Sequence, residues 1–83
     1  VDGLTLAFVL INSETGAEEE VLKELVKVDE VKEAYSVYGV YDIIVKVEAP
    51  DLDKLKEVVH SKIRRIAKVR STLTMIAMET AKK

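Results

Sequence analysis

The chain has 83 residues, 13 of them basic and 15 acidic, with one histidine and neither cysteine nor tryptophan. That length supports one domain, spanning residues 1–83; the absence of cysteine excludes disulfides and thiolate metal sites, and a net charge of −2 supplies no global field for gripping nucleic acid or an anionic membrane. Hydrophobic residues make up 48% of the chain, too many for a disordered tail, yet a domain this small is marginal alone, so oligomerisation is the device left to it.

No apolar run approaches membrane-spanning length, and the first residues form no signal peptide, so the expected location is cytoplasmic. Residues 4–11 read as a strand. Leu4, Leu6, Phe8 and Leu10 lie on one face and Ala7, Val9 and Ile11 on the other, so both faces call for cover. Asn12 to Gly16 break it. Thr15 with Glu18 fits a capping box, and Glu18, Glu19 and Glu20 suit the positive end of a helix dipole. Val21, Leu22, Leu25, Val26 and Val28 then recur with helical spacing, and Glu19 and Lys23 form an i, i+4 pair.

Residues 31–37 read as a second strand, with Val31, Tyr35 and Val37 on one side and Lys32, Ala34 and Ser36 on the other. A turn at Gly39 leads into a third strand over 42–48. Its core face is Ile43, Val45 and Val47; Asp42, Ile44, Lys46 and Glu48 face the other way. Asp51 is placed to cap the next helix, whose apolar stripe is Leu52, Leu55, Val59, Ile63 and Ile66, with Val58 on the flank. A last strand runs over 69–78. Leu73, Met75 and Ala77 share one face; Thr72, Thr74, Ile76 and Met78 share the other, which is taken as the face away from the helices.

The order βαββαβ predicts an α+β, ferredoxin-like sandwich: a four-stranded antiparallel sheet with two helices on one face. The other face would expose part of the first strand with Ile44, Ile76 and Met78. Burying each such side chain is worth roughly 1.5–3 kcal/mol, and a contiguous apolar patch rarely faces water on a stable monomer. A second copy packing sheet against sheet in an isologous dimer follows.

Few residues offer chemistry. Gly39 can admit a close backbone or ligand, and Asp42 could hold a cation or cap a turn; a plain hairpin loop is the other reading. Thr72 and Thr74, with Asp42, are expected on one face, as a small polar site at the rim of the sheet-to-sheet interface. His60 reads as an exposed surface histidine with no relay partner. Lys62, Arg64, Arg65, Lys68 and Arg70 form the only basic cluster, read as a helix C-terminus rather than a nucleic-acid patch, since the third strand lacks stacking aromatics.

Tyr38-Gly39-Val40-Tyr41-Asp42-Ile43-Ile44-Val45-Lys46-Val47, followed by Val69-Arg70-Ser71-Thr72-Leu73-Thr74, resembles the effector-binding (RAM) domain of the Lrp/AsnC transcription regulators. The likeness runs from Ala7 to about Glu79. It implies the same βαββαβ fold, dimers joined through their sheets, and octameric or similar rings. It implies an amino-acid effector bound in clefts between dimers, with Tyr38, Gly39, Tyr41, Asp42, Thr72 and Thr74 as the matching ligand-binding positions. The amides near Gly39 and the threonine hydroxyls would receive the ligand carboxylate, and Asp42 the α-ammonium. Tyr38 stands where many members have a small Ser or Thr, which changes pocket volume and polarity. The chain has no helix-turn-helix, so the resemblance implies a stand-alone member or an isolated effector domain without direct nucleic-acid binding.

The expected function is therefore a regulatory module that senses an amino acid and acts through assembly. It is expected to be no enzyme, with no catalytic residue, metal or cofactor. The alternative is an assembly partner that binds no ligand and joins full-length Lrp/AsnC paralogues. An acyl-phosphate hydrolase on this fold would want an arginine in the loop 12–16, which has none.

Overall fold

A computed structural model describes residues 4–83. The elements are β1 (Thr5–Ser13), α1 (Glu18–Leu25), β2 (Val31–Ser36), β3 (Ile43–Ala49), α2 (Leu52–Val58), which continues into a π-helical turn (Val59–Ile63), and β4 (Val69–Ile76). The four strands form one antiparallel sheet in the order β2-β3-β1-β4. The expected ferredoxin-like arrangement is therefore present.

Alternation in β1 and β3 builds the core. Ala7, Val9 and Ile11 pair across with Val47, Val45 and Ile43, and all six are fully buried. Val21 and Leu25 of α1, Leu55 and Val58 of α2, and Ile63 of the π turn close over them. Asp51 caps α2 as expected: its carboxylate accepts from the Lys54 N–H at 2.8 Å. The capping box at Thr15 does not form. Gly16 takes a left-handed φ of 83° and the Ala17 N–H donates to Glu14, so the helix starts later, with Ala17 at its N-cap. Nor do Glu19 and Lys23 form an ion pair within 4 Å.

Two bulges overturn the expected faces of the edge strands. In β2, Val31 pairs with Val47 but Glu33 pairs with Lys46, leaving Lys32 as an extra residue. Val31 and Ala34 then both pack on the core, and Tyr35 turns to the open face opposite Ile44. In β4, Ser13 pairs with Val69 and Asn12 with Ser71, which leaves Arg70 extra. Beyond it, Ile11, Val9 and Ala7 pair with Thr72, Thr74 and Ile76. Paired residues share a face, so these three lie on the helix side, not away from it. Leu73 and Met75 take the open face, beside Leu10 and Phe8.

The open face carries Leu6, Phe8, Leu10, Ile44, Leu73 and Met75 with no element packed across it, and Leu73 and Met75 are close to half exposed. Among the described residues, no helix is long and apolar enough to cross a membrane.

Glu30, just before β2, ties that strand to the π turn through Lys62 at 3.2 Å. Partial burial pushes its carboxyl up. A hydrogen bond from its own backbone N–H, the Lys62 hydrogen bond, and the Lys62 and Lys54 charges outweigh this and hold it below the ordinary value. A depressed carboxyl contributes stability above its unfolded pKa, and that contribution fades as pH falls through the folded one. Glu30→Gln should therefore lose less stability than the parent between about pH 7 and about pH 3, read as the shift in urea midpoint.

Ser13 is buried at the end of β1, and its Oγ has no hydrogen-bond partner among the described residues. A hydroxyl buried without a partner destabilises by about 1–3 kcal/mol. Ser13→Ala should leave the thermal midpoint unchanged or raise it; a clear fall would show that the hydroxyl is satisfied.

Candidate functional site

The loop 37–42 joins β2 to β3. It is closed by the Val37 N–H, which donates to the Asp42 carbonyl at 2.8 Å. Four residues are left at the tip. Tyr38 is fully exposed and Val40 nearly so, while Tyr41 is half-buried. Apolar side chains thus project from the end of the sheet into solvent. Gly39 does not adopt a left-handed φ, and a Cβ built on it would meet nothing within 4 Å. Within one chain, then, neither the turn nor any close approach requires glycine there.

Asp42 is tied more firmly. Its N–H donates to the Ile11 carbonyl at 3.0 Å, and its Oδ2 accepts from the Ser13 N–H at 2.9 Å. The residue extends the β1–β3 ladder past Ile43, using its side chain where the strand pairing ends. The carboxylate thus secures the end of β1 rather than capping its own turn, which backbone atoms alone close. Oδ1 makes no hydrogen bond among the described residues.

The six expected site residues do not converge. Tyr38, Gly39, Tyr41 and Asp42 share the β2–β3 end. Thr72 and Thr74 are on β4, with β1 between β4 and β3. Ile11 pairs with both Ile43 and Thr72, so the Asp42 and Thr72 backbones are separated by about two strand spacings, roughly 10 Å. The threonines also face the helices. One chain therefore cannot present Asp42, Thr72 and Thr74 on a single open surface.

The threonines instead line a seam between β4 and the α2–π helix. A cavity of about 300 Å³ is walled by Leu55, Val59, Thr74 and Ile76, with Lys56, His60 and Arg64 around it. A second, of about 350 Å³, lies between Arg64, Val69, Arg70, Ser71 and Thr72. His60 is exposed, as expected, but it borders this seam. The sequence carried little sign of the seam, because it depends on the π turn. The Arg64 N–H donates to the Val59 carbonyl at 2.9 Å, an i→i+5 bond, and Val58 and Val59 are both buried. The basic cluster is partly neutralised. Lys62 pairs with Glu30 and Lys68 with Glu20, whereas Arg64, Arg65 and Arg70 have no ion-pair partner among the described residues.

The element order, the sheet order and the single covered face define a ferredoxin-like α+β domain. Within that class the chain belongs to the Lrp/AsnC ligand binding domain family, whose model matches residues 6–83. The match is to a ligand-binding domain of transcription regulators, not to a catalytic one. It is 38% identical over 77 residues to the HTH-type transcriptional regulator FL11 of Pyrococcus abyssi, covering 93% of this chain and 50% of that protein. The chain spans about half the length of the curated relatives it matches. A hypothetical protein from Pyrococcus horikoshii superposes with a TM-score of 0.84 at 45% identity, over 92% of each chain. A feast or famine regulatory protein from M. tuberculosis, solved in complex with L-methionine, superposes with a TM-score of 0.81 at 27% identity. That match covers 98% of this chain and 54% of the other.

Asp42→Ala should destabilise the domain by about 1–3 kcal/mol, because the Ser13 N–H loses its acceptor. Asp42→Asn keeps an oxygen in place and should cost less than about 1 kcal/mol. Chemical denaturation of the two variants separates these outcomes.

Proposed function

We propose that this domain, residues 1–83, is an amino-acid-responsive regulatory module that acts through assembly, as a sheet-to-sheet dimer and as rings of such dimers. The observation that carries the reading is the uncovered face of the sheet. Six apolar side chains on three adjacent strands, each worth roughly 1.5–3 kcal/mol on full burial, have no helix or strand packed over them; residues 79–82 of the C-terminal segment border only the end of that face at Leu6 and Phe8. An identical face is the simplest self-complementary cover.

The effector site is assigned to the 37–42 loop where it meets a neighbouring dimer. Three features support that placement. Tyr38 and Val40 are apolar and exposed at the tip. The space beside Gly39 is open in the isolated chain. Asp42 has a carboxylate oxygen left over for an α-ammonium. A regulatory relative solved with L-methionine makes a free amino acid the first ligand class to try. The threonines are left out of this site, since they lie across β1 from the loop. A ligand that fits only the assembled cleft then favours the assembly by mass action.

Light scattering at micromolar concentration, with and without a mixed amino-acid pool, tests the reading. The parent should be a dimer or larger, and Leu73→Glu, on the open face, should be a folded monomer. Asp42→Asn should stay assembled and lose at least about tenfold in amino-acid affinity by calorimetry. A monomeric parent would overturn the assembly reading. Unchanged affinity in Asp42→Asn would remove Asp42 from the site.

A further inference from the structure

The seam along β4 has a chemistry of its own, distinct from the loop. Its two cavities share Arg64 and follow one face of one strand, with Thr74 in the first and Thr72 in the second. Residues two apart on a strand are about 6.8 Å apart, so the two compartments adjoin at the scale of a small molecule. One end is aliphatic: Leu55, Val59 and Ile76. The other is cationic and hydroxylic: Arg64, Arg70, Ser71 and Thr72.

Three further observations point the same way. Neither lining contains an aspartate or a glutamate. Arg64 and Arg70 are the two guanidinium groups on the polar compartment, and neither has an ion-pair partner among the described residues, although Lys62 and Lys68 nearby do. Both arginines are set by local irregularities, Arg64 by the i→i+5 bond of the π turn and Arg70 by the bulge of β4. Such irregularities re-aim side chains and recur at binding sites.

We propose that this seam is a second ligand site, specific for an aliphatic monocarboxylate without an α-ammonium group, such as a branched 2-oxo acid or a short fatty acid. Arg64 and Arg70 hold the carboxylate with charge-assisted hydrogen bonds, and Thr72 donates its hydroxyl. The tail lies on Leu55, Val59 and Ile76. Selectivity comes from what is missing as much as from what is present. An amino acid would bring its ammonium among Lys56, Arg64 and Arg70 with no carboxylate to receive it, and that uncompensated charge discriminates against it. The loop has the opposite character, with Asp42 ready for an ammonium, so the two sites sort zwitterions from simple acids.

The test is a titration of the full chain with 4-methyl-2-oxopentanoate, isovalerate, leucine and inorganic phosphate at fixed ionic strength, followed by calorimetry and by backbone amide shifts. Either of the first two acids should bind and move the amides of Thr72, Thr74, Ile76 and His60. Arg64→Gln and Arg70→Gln, both at exposed positions, should each weaken that binding about tenfold or more. Asp42→Asn should leave it unchanged, which separates this site from the amino-acid reading. The 2-oxo acid and isovalerate arms tell whether the keto oxygen is also recognised. The proposal is overturned if leucine shifts the seam amides as strongly as the acids do. It is equally overturned if phosphate competes on equal terms, which would make the tail irrelevant, or if no acid binds with a Kd below about 10 mM.

Discussion

Everything in this domain depends on a central strand that is apolar on both faces while the chain supplies cover for only one. β1 pairs with β3 on one side and β4 on the other. Its Ala7, Val9 and Ile11 are sealed under the helices, and its Leu6, Phe8 and Leu10 look out on the opposite side. Two helices of eight and seven residues plus one π turn cannot wrap a four-stranded sheet. That mismatch is the physical basis of the proposed sheet-to-sheet association.

The parts that were legible in the sequence are those governed by strict period. Alternation placed Ile43, Val45 and Val47 of β3 on the core face and grouped Ala7, Val9 and Ile11 of β1 on one face, without saying which side of β1 was inside; Asp51 announced the start of α2. The edge strands were not legible. Thr72, Leu73, Thr74, Met75 and Ile76 mix small, polar and apolar residues on either face, so alternation cannot say which face is inside. Only pairing decides that, and a one-residue slip inverts the answer. The bulges at Lys32 and Arg70 add that slip in both edge strands. The shared face expected for Asp42 and the two threonines was lost in this way, and with it a single-chain site.

Asp42 teaches a different lesson about legibility. A carboxylate after a glycine turn invites a ligand role, yet its first duty is backbone pairing: one oxygen stands in for the carbonyl that the Ser13 N–H would otherwise lack. Both roles fit one side chain because a carboxylate has more acceptor sites than one N–H can fill. The charge is dispensable for the first role and required for the proposed second. Stability and recognition can therefore be separated at this position by exchanging charge while keeping shape.

The two candidate ligand regions flank the same end of β1, one through Ile43 and Asp42, the other through Thr72. Neither lies on the open face, so neither competes with sheet-to-sheet packing. The loop is at the end of the sheet and the seam is under the helices' flank, at an edge strand whose outer side is unpaired. A ligand at either place acts on assembly only through a difference in affinity between assembled and free chains. For the loop, the proposed source of that difference is a neighbour that completes the cleft. For the proposed seam site, Arg64 at the end of the π turn and Arg70 on β4 carry like charges without ion-pair partners among the described residues, and a bound carboxylate offsets the repulsion between them. The sign of that local effect is fixed by charge: an anion between the two guanidinium groups is favoured most at low salt, where their repulsion is least screened.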